Sequence, residues 1–553
     1  MAEKEDDDIK ERSADDLFKD FKEVSITEFF RKNKAHLGYS GKVRSLTTIV
    51  HELVTNALDA CEEAGILPDV EITLKQVGEE HYSFTCRDNG PGIPEKHISG
   101  VFGKMLAGTK FHRNVQLRGQ QGIGVAGVTL YSQMTTGKPM RIVTSTGDGK
   151  VNDIKLMVDV TKNAADIIES NVISQKWRGT EIHGEVKGVL FNLGERSPYE
   201  YIRRTAIANP HAKVIFTDPE GRKSIFDRTS KQVPTPPKEM KPHPKGMDTD
   251  ELLNRGKRSV ARRVSSFLET EFARVSNAKV DEIQGKVNFD LKKNPRKLTW
   301  AEAEEITKAF NTIDFMAPPI EGLRPIGEKQ IENAVLKILK PEFSSVLTRS
   351  PTVYGGGVPF QVEVAIAFGG NSGRNATGEA GEESKVEVMR FANRTPLLFD
   401  AGACAINQAV QSVDWKRYDI KDFESTPVTI FVNLVSMYVP YTSAGKQSVS
   451  AEEEIVKEIR MALMDVGRRF QRYHSRMRRD IEREARMNAL MKYSAELAAA
   501  VAKLTGKDEK KLARELQTLI TKKLKLELKA EKEEDAGEEE PELKIKGSES
   551  EES

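Results

Sequence analysis

Helices mixed with antiparallel sheet, the α+β class, are what this sequence predicts, and three observations carry the prediction. Short runs at 70–74, 82–86, 140–143, 154–158 and 179–184 alternate apolar and polar residues with the two-residue period of strands. Between them apolar residues recur at helical spacing, as at Ile49, Val50, Leu53, Val54, Ala57 and Leu58. From near Ser450 the residues Ile455, Ile459, Leu463, Val466, Phe470, Tyr473, Met477 and Ile481 recur every three or four positions, which predicts one long helix with a single apolar seam.

In chain order, residues 26–34 lead into the helix that carries Ile49 to Ala60, and the strand runs follow it. Prolines at 234, 236, 237, 242 and 244 disfavour both helix and central strand and mark a linker. A helical pattern then runs over about 249–310, with Arg258, Arg262 and Arg263 near its start. A second mixed domain begins near Asn311, with strands expected at 361–367, 385–391 and 428–435. The long helix bears Arg468, Arg469, Arg472, Arg476, Arg478, Arg479 and Arg483, a pattern that suits phosphate contact and a solvated face equally. Residues 531–553 hold eleven acids against three lysines and almost no large apolar residue, so a disordered tail is expected there.

With 553 residues, 38% hydrophobic and 31% charged, the chain has room for roughly three domains of about 150 residues. Its 85 Lys+Arg against 84 Asp+Glu give a net charge of +1, which excludes a bulk polycation and confines any nucleic-acid contact to local patches. Cys61, Cys86 and Cys404 lie far apart, so neither a disulfide framework nor a structural zinc site is expected. The first residues lack a signal-peptide pattern, and no run approaches the ~20 apolar residues of a membrane helix. The expected location is the cytoplasm, with no membrane partner.

Two polar clusters carry the chemistry. On the helix His51-Glu52-Leu53-Val54-Thr55-Asn56-Ala57-Leu58-Asp59-Ala60, residues Glu52, Asn56 and Asp59 share one face opposite the apolar one. Asp88-Asn89-Gly90-Pro91-Gly92 follows the run at 82–87, placing an aspartate at a strand end beside a glycine turn. Further on, Arg118-Gly119-Gln120-Gln121-Gly122-Ile123-Gly124-Val125 sets glycines before a helix expected at 125–132, where bare amides can hold phosphate. Hydrolysing ATP needs a base, a magnesium ligand and phosphate donors in register. Glu52 suits the base and Asn56 the magnesium ligand, one helical turn apart, with Asp59 behind them.

Taken in order, the helix, the strand-end Asp-x-Gly-x-Gly and the glycine loop resemble the GHKL ATPases, whose Bergerat-type fold is an α/β sandwich. The chain resembles most the B subunits of DNA topoisomerase VI, through residues 29–33, 37–39, 50–60 and 119–124 and through Val439-Pro440-Tyr441-Thr442-Ser443-Ala444-Gly445-Lys446. The resemblance implies an ATP-driven gate of a type IIB topoisomerase, working with Mg2+ in an A2B2 heterotetramer that passes one DNA duplex through a double-strand break made by the A subunits. It implies roles for Glu52 as base, Asn56 as magnesium ligand, Asp88 with Gly92 at the adenine, Thr180 supporting that pocket, Thr109 and Lys110 in the lid, Arg118 to Val125 as phosphate loop, and Lys446 reaching the γ-phosphate. It divides the chain into a strap and ATPase domain (1–230), a linker and helix-two-turns-helix domain (231–310), a transducer ending in the long helix (311–505) and an extension with the acidic tail (506–553). ATP binding would close a dimer of two B chains. Trp415, Lys416 and Tyr418 resemble the family's DNA-touching element, and Trp415 and Tyr418 read equally as ordinary packing. Two rival readings stand beside this one: a histidine kinase, which His51-Glu52-Leu53 also suits but for which no phosphoacceptor helix is found, and an ATP-dependent clamp or chaperone that binds protein.

Overall fold

The structure, a computed structural model, describes residues 26–35, 37–105, 115–119, 122–159, 164–355, 357–375, 384–423 and 425–537. The chain falls into two units, Met1–Phe470 and Gln471–Ser553.

The first unit opens with α1 (Ile26–Asn33) and α2 (Lys42–Glu63). α2 buries Ile49, Val50, Leu53, Val54, Ala57 and Leu58, each contributing about 1.5–3 kcal/mol for the larger side chains, and these residues form one wall of the first core. Gly65, at φ +68, ends the helix, and the amide of Ile66 bonds back to the Cys61 carbonyl at 2.9 Å. The strands β1 (Asp69–Gly78), β2 (His81–Asp88), β3 (Met140–Thr146), β4 (Lys150–Asp159), β5 (Ala164–Ser174), β6 (Arg178–Lys187), β7 (Lys213–Thr217) and β8 (Lys223–Phe226) make one eight-stranded sheet in the order β5-β4-β3-β6-β2-β1-β7-β8. All neighbours are antiparallel except β1 and β7. α3 (Glu95–Gly103), α4 (Gly124–Thr136) and α5 (Pro198–Ala208) complete this body, Ser197 capping α5 through the Glu200 amide. One sheet face is apolar and covered. The other carries cross-strand ion pairs such as Arg141–Asp153 and Arg87–Glu181, the division usual for an antiparallel sheet.

The five strand runs read from the sequence all lie in this sheet, whereas β5, β7 and β8 are additional. β5 escaped notice because its burial shows no alternation: nearly every residue is exposed.

After the coil of residues 231–243 come four helices, α6 (Thr249–Arg258), α7 (Val264–Glu271), α8 (Asn277–Gln284) and α9 (Trp300–Thr312), around a core of their own that includes Leu252, Phe267, Phe272, Ile306 and Phe310. Asp248 caps α6, and Thr299 with Glu302 forms a capping box on α9.

The second α+β body contains α10 (Glu328–Leu339), β9 (Phe343–Thr348), β10 (Thr352–Tyr354), β11 (Val358–Phe368), β12 (Arg374–Asn375), β13 (Ser384–Lys385), β14 (Glu387–Ala392), β15 (Thr395–Pro396), α11 (Ala405–Gln411) and β16 (Val428–Ser436). Its sheet runs β10-β11-β16-β14-β15 with β9 also on β11, while β12 and β13 pair separately. β11 is buried on both faces: Val362, Val364 and Ile366 enter the core under α11, and Ala365 and Ala367 enter the core under α10. The last helix of this body, α12 (Glu453–Thr505), buries Ile455, Ile459, Leu463, Val466 and Phe470 in the first of those cores. The expected seam does not continue as a buried stripe, since Ile481 is 58% exposed.

In the second unit α12 ends at Gly506 (φ +69), and Asp508 caps α13 (Glu509–Gly537) through the Lys511 amide. The disorder expected from residue 531 is corrected over 531–537, which are helical; residues 538–553 lie outside the described residues. Residues 522–530 are all Lys, Leu, Glu or Ala, strong helix formers that carry the helix on into the first acids.

Candidate active site

On α2, Asn56 is exposed, Glu52 is half-buried and Asp59 is buried, so the polar face sorts itself by depth. His51, one residue before Glu52, faces inward against Tyr201, with ring centroids 5.2 Å apart. Burial pushes its pKa down, against the pull of Glu52 3.8 Å away, and keeps the imidazole neutral. His51 is thus part of the core, while Glu52 faces the glycine loop.

That loop meets Glu52 directly. Gly122 has φ +58, and a Cβ added at Gly124 would overlap Glu52 Oε2. Gly124 is the first residue of α4, which no side chain caps, so its leading amides are left for an outside acceptor. The side chains of Ile123 and Val125 pack on the first core; only their backbone is available to a ligand. Gln120, Gln121, Thr109 and Lys110 lie outside the described residues.

Arg118 departs from its expected role. Its guanidinium is buried between Asp59 (2.6 Å), Glu62 (2.6 Å) and the Asn209 carboxamide (2.6 Å). Burial lowers its pKa, but Glu62 and Asp59 outweigh that and hold it well above the ordinary arginine value. For Glu62, burial pushes upward and is overcome by Arg118, by His211 at 2.7 Å and by Arg394, leaving the carboxyl well below the usual range. The Arg118 side chain is therefore a clamp on the end of α2 and does not offer its charge to a phosphate. Asp59, likewise, is spent on Arg118.

The strand-end cluster expected at the adenine follows from strand register. β2 buries Tyr82, Phe84 and Cys86, and Asp88 continues this inward series at the sheet rim. Asp88 pairs with Thr180 on β6, and Thr180 with Thr144 on β3, so three strands present one polar row. The Gly90 amide (2.8 Å) and the Thr180 amide (3.3 Å) both donate to Asp88 Oδ1. Burial nevertheless raises the Asp88 carboxyl to about 6, the two amides pulling it down. Gly92, at φ +75, passes so close to Ser145 that any Cβ would overlap its carbonyl. Thr144 accepts from the Ile93 amide at 2.9 Å and lies 3.1 Å from the Thr180 hydroxyl; nothing in the sequence marked it, because a threonine inside a strand looks like any other. Tyr39, within the 37–39 stretch that carries the resemblance, is given no role of its own by the sequence. It stacks on Tyr131 at 4.5 Å, and burial followed by the charge of Glu52 raises its pKa.

Lys446 comes from the second α+β body, on a turn closed by the Tyr441–Val449 bridge. It has φ +51, and its Nζ donates to the Arg118 carbonyl at 3.1 Å, at the mouth of the glycine loop. Trp415 and Tyr418, by contrast, are buried in the second core, with Trp415 Nε1 donating to the Val410 carbonyl at 2.8 Å. A DNA-gripping aromatic pair is thereby corrected to packing; of this segment Lys416 and Arg417 are exposed. Among the arginines of α12, Arg469 donates to the Val346 carbonyl at 3.1 Å and Arg483 pairs with Asp480 at 3.0 Å.

The donor set suits magnesium: one exposed carboxamide, a carboxylate one turn away, and room for phosphate at uncapped amides, which matches an ion that prefers few protein ligands. Among the described residues no group of three or more His, Cys, Asp or Glu forms a metal cage.

Comparison with known proteins gives the family. Residues 41–161 match the family described as histidine kinase-, DNA gyrase B-, and HSP90-like ATPase, and residues 318–486 match topoisomerase VI B subunit, transducer. The B subunit of type 2 DNA topoisomerase 6 from Thermococcus sibiricus (strain DSM 12597 / MM 739) is 46% identical over 557 residues, covering 92% of this chain and 97% of that protein. The chain belongs to the family of type 2 DNA topoisomerase 6 B subunits. The family member of Methanothermobacter thermautotrophicus (strain ATCC 29096 / DSM 1053 / JCM 10044 / NBRC 100330 / Delta H) is 47% identical over 521 residues, 94% of this chain and 98% of its own. Among solved structures, the ATPase region of Saccharomyces cerevisiae topoisomerase II is similar at 13% identity, covering 84% of this chain and 100% of that chain with a TM-score of 0.41. The fold is α+β with a GHKL ATPase body, as this family of B subunits has it. Among the described residues no helix is long and apolar enough to cross a membrane.

Proposed function

We infer that this chain is the ATP-binding and ATP-hydrolysing subunit of a type IIB DNA topoisomerase, whose closure on a duplex is coupled to cleavage, passage and religation by a partner subunit. The observation that carries the reading is the convergence on one loop of Glu52 from α2, the uncapped start of α4 and Lys446 from the second body. Glu52 takes the proton of a water whose oxygen attacks the γ-phosphorus, and the bond to the bridging oxygen breaks to release ADP. The amides at the start of α4 hold phosphate oxygens. Lys446 offsets the charge that gathers on the γ-phosphoryl oxygens, moving to it from the Arg118 carbonyl. Asp88, with Oδ1 already held by two amides, accepts the adenine amine, and Thr180, Thr144 and Gly92 shape that pocket. Asn56 would ligate magnesium, which when bound supplies a second positive charge at the phosphates.

Largely distinct cores, bridged by Leu398 and Phe399 in the first and by Ile207 and Ala208 in the one under α10, support a division into an ATPase domain (1–230), a linker and helical insert (231–310), a transducer with its long helix (311–505) and an extension (506–553). We further propose an A2B2 assembly in which ATP closes two copies of this chain around double-stranded DNA in the cytoplasm, with the cleaving tyrosine on the A subunit. Exposed Arg258, Arg262 and Arg263 on the helical insert and Lys416 and Arg417 on the transducer are the cations placed to meet DNA phosphate. The test uses purified chain and supercoiled plasmid with and without an A-type partner. ATP-dependent relaxation in the mixture alone is the expected result, and transfer of labelled phosphate onto the chain itself would overturn it in favour of a kinase.

A further inference from the structure

The hairpin between β14 and β15 turns in two residues, Asn393 and Arg394, with Ala392 facing Thr395. Both turn residues have positive φ, +48 and +66, as a type I′ turn demands. Asn tolerates the left-handed region; Arg does not, and glycine is the residue such a turn selects at its second position. An arginine kept in a strained conformation needs a compensating use of its side chain.

The use is visible. The Arg394 guanidinium is buried and aimed out of its own sheet into the ATPase body. It donates to the carbonyls of Arg324 and Pro325, each at 3.3 Å, and lies 3.9 Å from Glu62 Oε2 at the last turn of α2. Its Nε is buried with no hydrogen-bond partner, so the side chain is placed for charge at some cost in solvation. Asn393 donates to the Leu117 carbonyl at 3.2 Å and to the Ser436 carbonyl at 2.8 Å, while accepting from the Ser436 amide at 3.0 Å. Leu117 lies two residues before Gly119, and Glu62 is the residue that fixes Arg118. The turn therefore holds the entry of the glycine loop in two ways: through the backbone at Leu117 and through the acid that anchors the Arg118 side chain.

We propose that Asn393 and Arg394 are positioning residues for ATP hydrolysis, which seat the glycine loop on α2 from the transducer independently of Lys446. The proposal rests on the reading of the nucleotide site. Neither side chain reaches the reacting atoms; both act on where the phosphate-binding amides lie, so their removal weakens ATP capture and leaves the chemical step, carried by Glu52 and Lys446, intact.

Glycine substitutions separate this from a turn-forming role, because glycine adopts the positive φ of both positions without strain. In the full chain, Asn393→Gly and Arg394→Gly are compared with the unaltered protein by thermal unfolding and by steady-state ATP hydrolysis. The expected result is an unchanged or raised Tm for Arg394→Gly, a Tm lowered by the lost Ser436 bonds for Asn393→Gly, and in both a KM for ATP raised about five- to tenfold and kcat within about twofold, the loss expected for one or two hydrogen bonds to an ordered loop. Arg394→Lys, which keeps the charge but not the fork, should fall between. Wild-type KM in both glycine variants would overturn the proposal, as would a KM that rises only in step with a falling Tm. Absence of ATP turnover in the unaltered chain would instead sink the nucleotide-site reading, and this one with it.

Discussion

Glu52 and Asp88 are both carboxylates of the same pocket, yet their surroundings set them to different work. Both are partly buried, Glu52 beside the start of α4 and Asp88 at a strand end, where desolvation raises its carboxyl to about 6. Glu52→Gln is expected to lower ATP turnover by about 10²–10⁴-fold with nucleotide affinity nearly unchanged, since only the proton acceptor is lost; turnover assays alongside calorimetric titration with ATP read the two quantities separately. For Asp88 stability and binding move in opposite senses. An acid whose folded pKa lies above its unfolded one stabilises the fold below the unfolded value of about 3.9 and loses that contribution as pH rises through about 6. At pH 7.5 the unliganded protein therefore carries a penalty of up to ~3 kcal/mol, and Asp88→Asn should raise its Tm while weakening ATP binding roughly tenfold or more. In the unaltered chain, ATP affinity should decline below about pH 6, as Asp88 takes up a proton. Titrations across pH 5 to 8 of both forms settle it: equal pH dependence in the two would dismiss Asp88 as the adenine acceptor.

At the scale of elements, glycines in one loop differ sharply in what they must avoid. Gly124 lies against Glu52, while a Cβ at Gly119 would find its nearest neighbour, Asp59 Oδ2, at a comfortable 3.9 Å. Gly124→Ala should displace the start of α4 or push Glu52 aside and abolish most hydrolysis, and Gly119→Ala should leave it largely intact; comparable activity in the two variants would contradict the close approach of loop and base. The spacing of the glycines announced a loop before a helix, and the helix, the strand end and the polar face of α2 could all be read from periodicity and residue type. Which glycine touches which side chain could not, because that depends on how elements far apart in the chain pack. The same limit explains Arg118 and the Trp415–Tyr418 pair: a guanidinium in a glycine loop and an aromatic pair around a lysine look alike in sequence whether they face a ligand or a core. Trp415→Phe should accordingly cost stability, through the lost bond to the Val410 carbonyl, by ~1 kcal/mol, and leave DNA affinity unchanged. Lys416→Ala should do the reverse, weakening plasmid binding and flattening its salt dependence with the fold intact, as denaturant titration and binding at two salt concentrations would reveal.

Across the whole molecule the ATPase body and the transducer are joined by several sets of contacts: the buried pairs of Arg203 and Arg204 with Glu387, the Arg44–Asp400 pair, and a group at residues 116–118 beside the glycine loop. The Gln116 carboxamide accepts from the Arg324 amide at 2.6 Å and donates to its carbonyl at 3.1 Å, Asn393 holds the Leu117 carbonyl, and Lys446 holds that of Arg118. A ligand can bias two arrangements of a molecule only by binding one better than the other, and on the proposed reading Lys446 is the contact that would distinguish them, its ammonium exchanging the Arg118 carbonyl for a phosphate of far greater charge. Lys446→Ala removes that exchange while sparing the adenine pocket, Glu52 and the amides of α4. It should lower kcat by about 10²–10³-fold with KM within a few fold, and the mixture with an A-type partner should lose ATP-dependent relaxation to at least the same degree. A non-hydrolysable ATP analogue isolates coupling from chemistry: it should promote dimerisation of the unaltered chain in sedimentation, and do so weakly or not at all with Lys446→Ala. Analogue-driven dimers of equal strength in both would show that closure runs through the other contacts between the two bodies, and that Lys446 serves the chemical step alone.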